Sequence, residues 1–552
     1  MRSTQFLLSA AVASTLAATG TSQQIVKSML GDQPGANFGR TLAVVDDIDG
    51  DGLKDLVVGE PNRDLGNLTD CGAAVLVRTG AWSIRTRSHG NQQLTHLGGG
   101  VAGLGDVDGD TIPDWATGSP DAATGTSIVR VLSGQTGFQL FEVSGDFFAR
   151  FGTAICSIGD RNGDGRADFA VGAPQNSATV QYGTVKFFSG SNGALLATLA
   201  GTNGTQFGSA LATLGDVTGD GQPEIVIGEP SADTNGTDSG RVTVKNPRDG
   251  LPNSWVWQGS PFPAGSAGGS AVAAIGDING DGYADFVTTT NGNRLVVLDG
   301  FTSAALAVIA SNDLGPSLSV AGLGDWNGDG HRDFAVGAPT TSVGAGSVYV
   351  YSCATGFPRI ATIQGAAGSM FGSAVAGLGD LDGDGRTELA VGAPTHASNG
   401  LIVGRVTVHS FDIQPLAEPF GTGCTGHAGV PSLYFAGAPN LGGSFDVLCG
   451  NLRQNAFGYL VFGFSDTTTG LFPLPLPLQA LGFGAACSFY VSPDAPEPFA
   501  TTGGSLLTRT MTLPNEPSLA TFRFYVQACQ FDGGAVGGVS FSNAGRIRVG
   551  NL

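Results

Sequence analysis

Charge is scarce in this chain. Asp, Glu, Lys and Arg make up 13% of its 552 residues, and the 26 basic residues are outnumbered by 46 acidic ones, for a formal net charge of −20. A surface so poor in cations argues against binding nucleic acid or an anionic membrane. Beyond the first twenty residues there is no apolar run long enough to cross a bilayer as a helix, and the closing "GRIRVGNL" has no hydrophobic anchor. Apolar residues at helical spacing are missing too, which leaves strands and turns, and 89 glycines serve the turns. Nor is there an HExxH, a GxSxG or a phosphate loop, and the six histidines are scattered. "GTDSGR" at Gly236 has a faint look of a serine nucleophile stretch, but a polar loop between strands explains it better.

The scarce charge is concentrated. "GLGDLDGDGRTELAVGAP", from Gly377, crowds four acids into nine positions and then runs into apolar sequence. Crowded carboxylates repel unless a cation of higher charge sits between them. Alternating Asp380, Asp382 and Asp384 can point inward from a curled loop, Gly385 permits the left-handed turn, Glu388 closes the shell, and the Arg386 carbonyl offers a fifth ligand. Hard oxygen donors suit calcium better than zinc or copper. A β-type apolar run follows, so the loop joins two strands, unlike the loop of an EF-hand.

Seven such loops occur. Ligand positions one, three, five, seven (carbonyl) and nine are Asp47, Asp49, Asp51, Leu53 and Asp55 in the first loop, and Asp106, Asp108, Asp110, Ile112 and Asp114 in the second. The third offers Asp160, Asn162, Asp164, Arg166 and Asp168, and the fourth Asp216, Thr218, Asp220, Gln222 and Glu224. Asp277, Asn279, Asp281, Tyr283 and Asp285 form the fifth, Asp325, Asn327, Asp329, His331 and Asp333 the sixth, and the Asp380 loop is the seventh. Thr111 replaces glycine in the second loop beside Pro113, which predicts a strained turn and a weaker site; Thr218 and Glu224 weaken the fourth. The loops recur at steps of 48 to 61 residues, the mark of a repeat architecture. They hold 24 of the 46 acids, so seven calcium ions would bring the net charge near −6. Because each loop fills its own shell, the metal is expected to be structural and not catalytic.

A Phe-Gly pair precedes four of the loops (Phe38-Gly39, Phe151-Gly152, Phe207-Gly208, Phe371-Gly372) and is altered to Leu97-Gly98, Gly268-Gly269 and Pro316-Ser317 in the others. After each loop comes "GAP" or a variant, lost to "TTT" in the fifth repeat, then strands such as "GTVKFFSG" and "ALLATLAG". Four short strands per repeat is the content of a propeller blade.

The order FG, calcium loop, GAP resembles the FG-GAP repeats of the seven-bladed β-propeller at the N-terminus of integrin α subunits, over roughly residues 24 to 413. Integrin propellers carry such loops in only some blades, whereas every repeat here has a version. The resemblance implies that the calcium loops lie on one face, while loops between blades form the other, partner-binding face. On that face Phe147 and Phe148 are candidate ligand-binding residues, the alternative being that one of them plugs a gap between blades. Trp255 and Trp257 are expected in a strand. The last repeat lacks its fourth strand, and "QQIVKSMLGDQPGANFG" aligns with other last strands, so residues 24–30 are expected to pair beside 404–411 and lock the ring.

The expected fold is all-β: a signal peptide at 1–20, a seven-bladed propeller with calcium loops at 21–413, and a C-terminal β-sandwich-like domain at 414–552. In the last region Cys424, Cys449, Cys487 and Cys529 form an even set; of three connectivities, Cys424 with Cys487 and Cys449 with Cys529 is preferred, while Cys71, Cys156 and Cys353 are expected unpaired. The expected role is noncatalytic recognition or adhesion by a monomeric, secreted or cell-surface protein toward an extracellular protein or glycan. The alternatives are a polymer-degrading hydrolase or lyase with structural calcium, or a surface-layer scaffold.

Overall fold

The structure is a computed structural model that describes residues 23–548, apart from short internal stretches such as 121–125, 175–181, 247–253 and 382–384. The expected signal peptide lies outside the described residues.

The first repeat shows how the sequence becomes a sheet. β1 (Gln23–Leu30) stands apart, and the repeat itself runs β2 (Leu42–Val45), β3 (Asp55–Glu60), β4 (Ala73–Arg78) and β5 (Ser83–His89), each antiparallel to the next. β3 is buried throughout and β4 nearly so, which is why both read as unbroken apolar runs. β5 is the polar, half-exposed edge.

The described residues hold seven four-stranded sheets of this kind. In the seventh the outer place is taken by β1, which pairs with Arg405–Phe411 from Gln23↔Phe411 to Leu30↔Arg405. First strands of successive sheets are neighbours, and the seventh touches the first. All seven contribute three consecutive residues to one axial channel, from Arg40, Thr41 and Leu42 in the first to Ser373, Ala374 and Val375 in the seventh. This all-β arrangement is consistent with a β-propeller.

Each junction between neighbouring sheets has its own apolar cluster. Leu56, Val58, Val75 and Val77 of the first sheet meet Ala390, Val406 and Val408 of the seventh, and Val45, Leu76 and Trp115 link the first to the second. Burying one Val, Leu or Phe side chain contributes about 1.5–3 kcal/mol, so the junctions hold the sheets together.

The FG and GAP glycines explain how neighbours approach so closely. Within a sheet the first glycine donates its N–H to the carbonyl of the second: Gly39 to Gly59 at 3.1 Å, Gly152 to Gly172 at 3.0 Å, Gly372 to Gly392 at 3.0 Å. Between sheets, a Cβ on Gly59 would lie 2.2 Å from the carbonyl oxygen of Gly98, and one on Gly392 would lie 2.0 Å from that of Gly39. No side chain fits there. Where the fifth sheet has buried Thr289 in place of this glycine, the sixth has Pro316 in place of the Phe-Gly phenylalanine.

Residues 416–548 form a five-stranded and a three-stranded sheet besides shorter pairs. Leu433, Phe445 and Val447 of the smaller sheet share a core with Leu460, Val526 and Ile547 of the larger. Cys449 and Cys529 are free thiols, which corrects the expected pairing. Both are in strands, but Cys449 lies in the core between the two sheets and Cys529 packs with Cys424 and Phe541 in another cluster. Cys487 lies outside the described residues. Cys71, Cys156 and Cys353 are free. Ser254–Trp257 is a strand, as expected for Trp255 and Trp257.

The β1 closure is tied down beyond its ladder. Val26 and Met29 pack on the junction of the first and seventh sheets, and Arg405 Nε donates to Ser28 Oγ at 2.8 Å. Just past β1, burial works upward on the Asp32 carboxyl, but Arg63 and Arg87 outweigh it and hold the group down at about 2. Removal of residues 23–30 is expected to lower the Tm and to leave the Arg405–Phe411 edge open to self-association. An unchanged Tm with a single sharp size-exclusion peak would contradict this closure.

Candidate metal centres in the acidic loops

The acidic loops lie at the ends of the first strands away from the FG turns. In each, the position-one aspartate organises the turn by accepting backbone N–H groups: Asp47 accepts from Gly50 and Gly52, both at 2.7 Å, and Asp325 from Gly328 at 2.6 Å and Gly330 at 2.9 Å. Slight burial works upward on Asp47 and Asp277, but these N–H groups outweigh it and hold both carboxyls below the ordinary range. The position-five aspartate accepts the N–H of position seven at 2.8–2.9 Å in the first six loops, so Leu53, Ile112, Arg166, Gln222, Tyr283 and His331 have their N–H groups engaged within the loop.

Position nine is the hinge of the arrangement. In all seven loops one oxygen of this acid accepts the N–H of position two, at 2.5–3.0 Å. The second oxygen of Asp55, Asp114, Asp168 and Asp285 accepts the N–H of Thr79, Gly134, Gly190 and Gly300, at the turn after the third strand, at 2.8–3.1 Å. These acids are fully buried. Burial pushes the carboxyls of Asp55, Asp114 and Asp285 up to about 6, with further push from neighbouring carboxylates, while the N–H bonds pull the other way. Burial pushes Asp333 up to about 7; its fully buried Oδ1 has no hydrogen-bond partner, because the neighbouring Ser352 hydroxyl donates to Asp329 at 3.0 Å instead. A buried carboxylate oxygen with no donor is expensive unless a cation compensates it.

Three acids come together in several loops. Asp47, Asp49 and Asp55, then Asp106, Asp108 and Asp114, then Asp216, Asp220 and Glu224 each place one carboxylate oxygen within 4.8 Å of the others. In the sixth loop Asn327 Nδ2 donates to Asp329 at 2.9 Å, and in the fifth Asn279 Nδ2 donates to Asp281 at 3.2 Å. In the fourth, Thr218 Oγ1 donates to Glu224 at 2.9 Å. Asp382 and Asp384 of the seventh loop lie outside the described residues; Asp380 accepts the Gly385 N–H at 2.8 Å, and the N–H of Leu381 bonds Glu388.

The second loop departs as its sequence predicts. Thr111, β-branched, is held at φ +71°. The Arg166 guanidinium from the third repeat covers Gly109 and stands 3.7 Å from Asp106, so part of the neutralising charge comes from the protein.

Position two escaped the sequence reading. Ile48, Val107, Val217 and Trp326 are buried between sheets while their N–H groups bind position nine. An apolar residue between two acids was the available signal. Phe147 was expected in a loop but ends the strand Gln139–Phe147, opposite Thr126; the side chains of Phe147 and Phe148 lie outside the described residues. Ser239 of "GTDSGR" is buried and donates to the Ala232 carbonyl at 3.0 Å.

A raised carboxyl pKa means that the folded chain holds its proton more tightly than the unfolded one. In chelator, stability is therefore expected to rise as pH falls from 7.5 to 5.5, through the values of about 6 to 7 at Asp55, Asp114, Asp285 and Asp333. Burial holds His409 down at about 4 and, with nearby arginines, lowers His89 and His396 as well, so these three imidazoles oppose the trend and reduce its size. A Tm measured in chelator that falls over this interval would contradict the balance.

A model of the FG-GAP repeat matches residues 38–76, 151–193, 207–244, 318–351 and 371–409. The second and fifth sheets, whose Phe-Gly pairs are altered, fall between these matches yet have the same strand order. The chain is 30% identical over 234 residues to integrin alpha-IIb of Homo sapiens, covering 39% of this chain and 22% of that protein. It is 35% identical over 157 residues to integrin alpha-4 of Xenopus laevis (26% and 15%) and 30% identical over 212 residues to integrin alpha-V of Gallus gallus (34% and 20%). The chain thus spans about a fifth or less of the length of these relatives. With five matched repeats and these similarities, it is an FG-GAP repeat protein that is similar to integrin α subunits over up to 234 of its residues.

Proposed function

We propose that the chain is a calcium-stabilised, seven-bladed propeller over residues 21–413, followed by a β-sandwich-like domain over 414–552, and that it acts outside the cell or on its surface as a noncatalytic recognition or adhesion protein. Its partner would be an extracellular protein or glycan. The FG-GAP repeats and the integrin α relatives support adhesion or recognition. The observation that carries the calcium reading is the buried, partnerless Oδ1 of Asp333 in a loop of hard oxygen donors.

The acids at positions one, three, five and nine, with the position-seven carbonyls, would hold the ions. Bound calcium supplies the charge that lets buried carboxylates stay ionised. Around it, position one shapes the turn, position nine ties the loop to the sheet, and the position-two side chain anchors it in the core. Repetition of one closed arrangement in seven places supports a structural role. The Cys424–Cys487 bridge remains part of this proposal.

Extracellular calcium modules bind at roughly 10⁻⁴ to 10⁻³ M, so about 2 mM calcium adds about 0.6–1.8 kcal/mol per site. The Tm is expected to rise by many degrees between chelator and 2 mM calcium, and magnesium at the same concentration should do less. Asp333→Asn should be at least as stable as the parent in chelator but gain about 0.6–1.8 kcal/mol less from calcium, the contribution of one site. A calcium-independent Tm would overturn the calcium reading. On protein and glycan arrays, a hit that weakens in chelator is expected; a turnover assay on extracellular polymers that shows product formation would overturn the noncatalytic role.

A further inference from the structure

One position outside the acidic loops sets them apart from one another. In the sixth sheet Ser352, the last residue of the third strand, pairs across the ladder with Asp333, position nine of its loop. The same rung in the other sheets lies one step past pairs such as Leu56↔Val77 and Phe286↔Leu298. It holds serine in the second, third and seventh sheets and Asn246 in the fourth, but Arg78 in the first and Asp299 in the fifth.

Side chains at this rung reach the loop. Ser352 Oγ donates to Asp329 at 3.0 Å and Asn246 Nδ2 donates to Asp220 at 2.8 Å, in each case the position-five acid. Arg78 and Asp299 bring charge to the same place, with opposite sign. Arg78 Nε stands 3.9 Å from Asp49, position three of the first loop, and has no hydrogen-bond partner. Asp299 is 7% exposed and makes no ion pair with any described Lys or Arg. Its Oδ1 accepts the N–H groups of Phe301 and Thr302 at 2.9 and 2.7 Å, and its Oδ2 accepts Asn279 Nδ2 at 3.0 Å. The same Nδ2 donates to Asp281 Oδ2 at 3.2 Å, so a single amide group separates two carboxylates. The turn that carries Asp299 is also braced against the loop: Phe301 stacks on Tyr283, position seven, with ring centroids 4.6 Å apart and planes at 12°.

Within the loops alone, the first site has four acids and the fifth has three acids and an asparagine. With the rung included the order reverses, because Arg78 brings the first to a net −3 and Asp299 brings the fifth to −4. Oxygen-ligated calcium sites are tuned by the charge count of the groups around the ion, and charges this close are screened little by salt. We propose that the residue at this rung sets the calcium affinity of its loop, so that Asp299 makes the fifth site tighter than the first, where Arg78 takes part of the ion's role. Asp299 acts through its charge and through its hold on the Asn279 amide; Arg78 acts through its charge. This inference rests on the calcium reading above and ranks the sites within it.

The test uses crystals of the full chain equilibrated at graded calcium, from about 10⁻⁵ to 10⁻² M, with the anomalous peak in each loop followed to its half-occupancy concentration. The fifth loop is expected to fill at a concentration about ten-fold or more below that of the first. It should also fill before the sixth, which has acids and asparagine at the same positions but Ser352 at the rung. Asp299→Asn, which keeps an acceptor for the turn, should raise the fifth midpoint about ten-fold and leave the other six in place, while Asp299→Glu should retain part of the tightness. Arg78→Gln should lower the first midpoint, and Arg78→Lys should leave it near that of the parent. If Asp299→Asn fails to fold, Asp299→Ser replaces it with the same expectation. A first loop that fills before the fifth, or midpoints that ignore either substitution, would overturn the inference and leave the calcium reading standing, whereas loops empty at every concentration would remove both.

Discussion

A carboxylate buried at the foot of the second strand, repeated in every repeat, is the constraint on which the rest of the structure depends. From that place it accepts the N–H of the loop in front of it and, in four repeats, the N–H of the turn behind the third strand. One side chain thus sets the distance between three segments of chain. Its cost is the burial of charge in a cluster of like charge, visible in the carboxyls of Asp55 and Asp333, pushed up to about 6 and about 7. An arrangement that expensive is tolerable with a divalent cation in the loop and poorly tolerable without one.

A second constraint joins the sheets to one another. The GAP glycine of one sheet faces the carbonyl of the FG glycine in the next, closely enough that no Cβ can intervene, and the contact runs from the seventh sheet back to the first through Gly392 and Gly39. The two motif halves are therefore partners across a junction as well as within a sheet. Together the two constraints sort the molecule along its axis. Acids and the charge they demand lie at one end of the first strands; the FG turns lie at the other.

Much of this was legible in the chain. Alternating acids with glycine at fixed places name the loops, because the curl of the turn demands that spacing. The match of Gln23–Gly39 to other last strands named the pairing of β1 with Arg405–Phe411, since an unfilled edge has to be covered. Other features depend on partners distant in sequence. That Asp55 would reach Thr79, or that Arg166 would cover Gly109 of another repeat, follows only from the folded register. Phe147 looked like part of a loop because strand length is set by the partner, here Thr126, and not by local propensity. Cys449 and Cys529 looked like neighbours because both sit mid-strand, but membership of different sheets and clusters separates them.

The most direct test is crystallographic. Crystals grown in millimolar calcium and measured at a wavelength where calcium scatters anomalously should show a peak inside the acidic loops, weakest in the loop of Thr111. Loops that fold as described with no peak inside any of them would contradict the account.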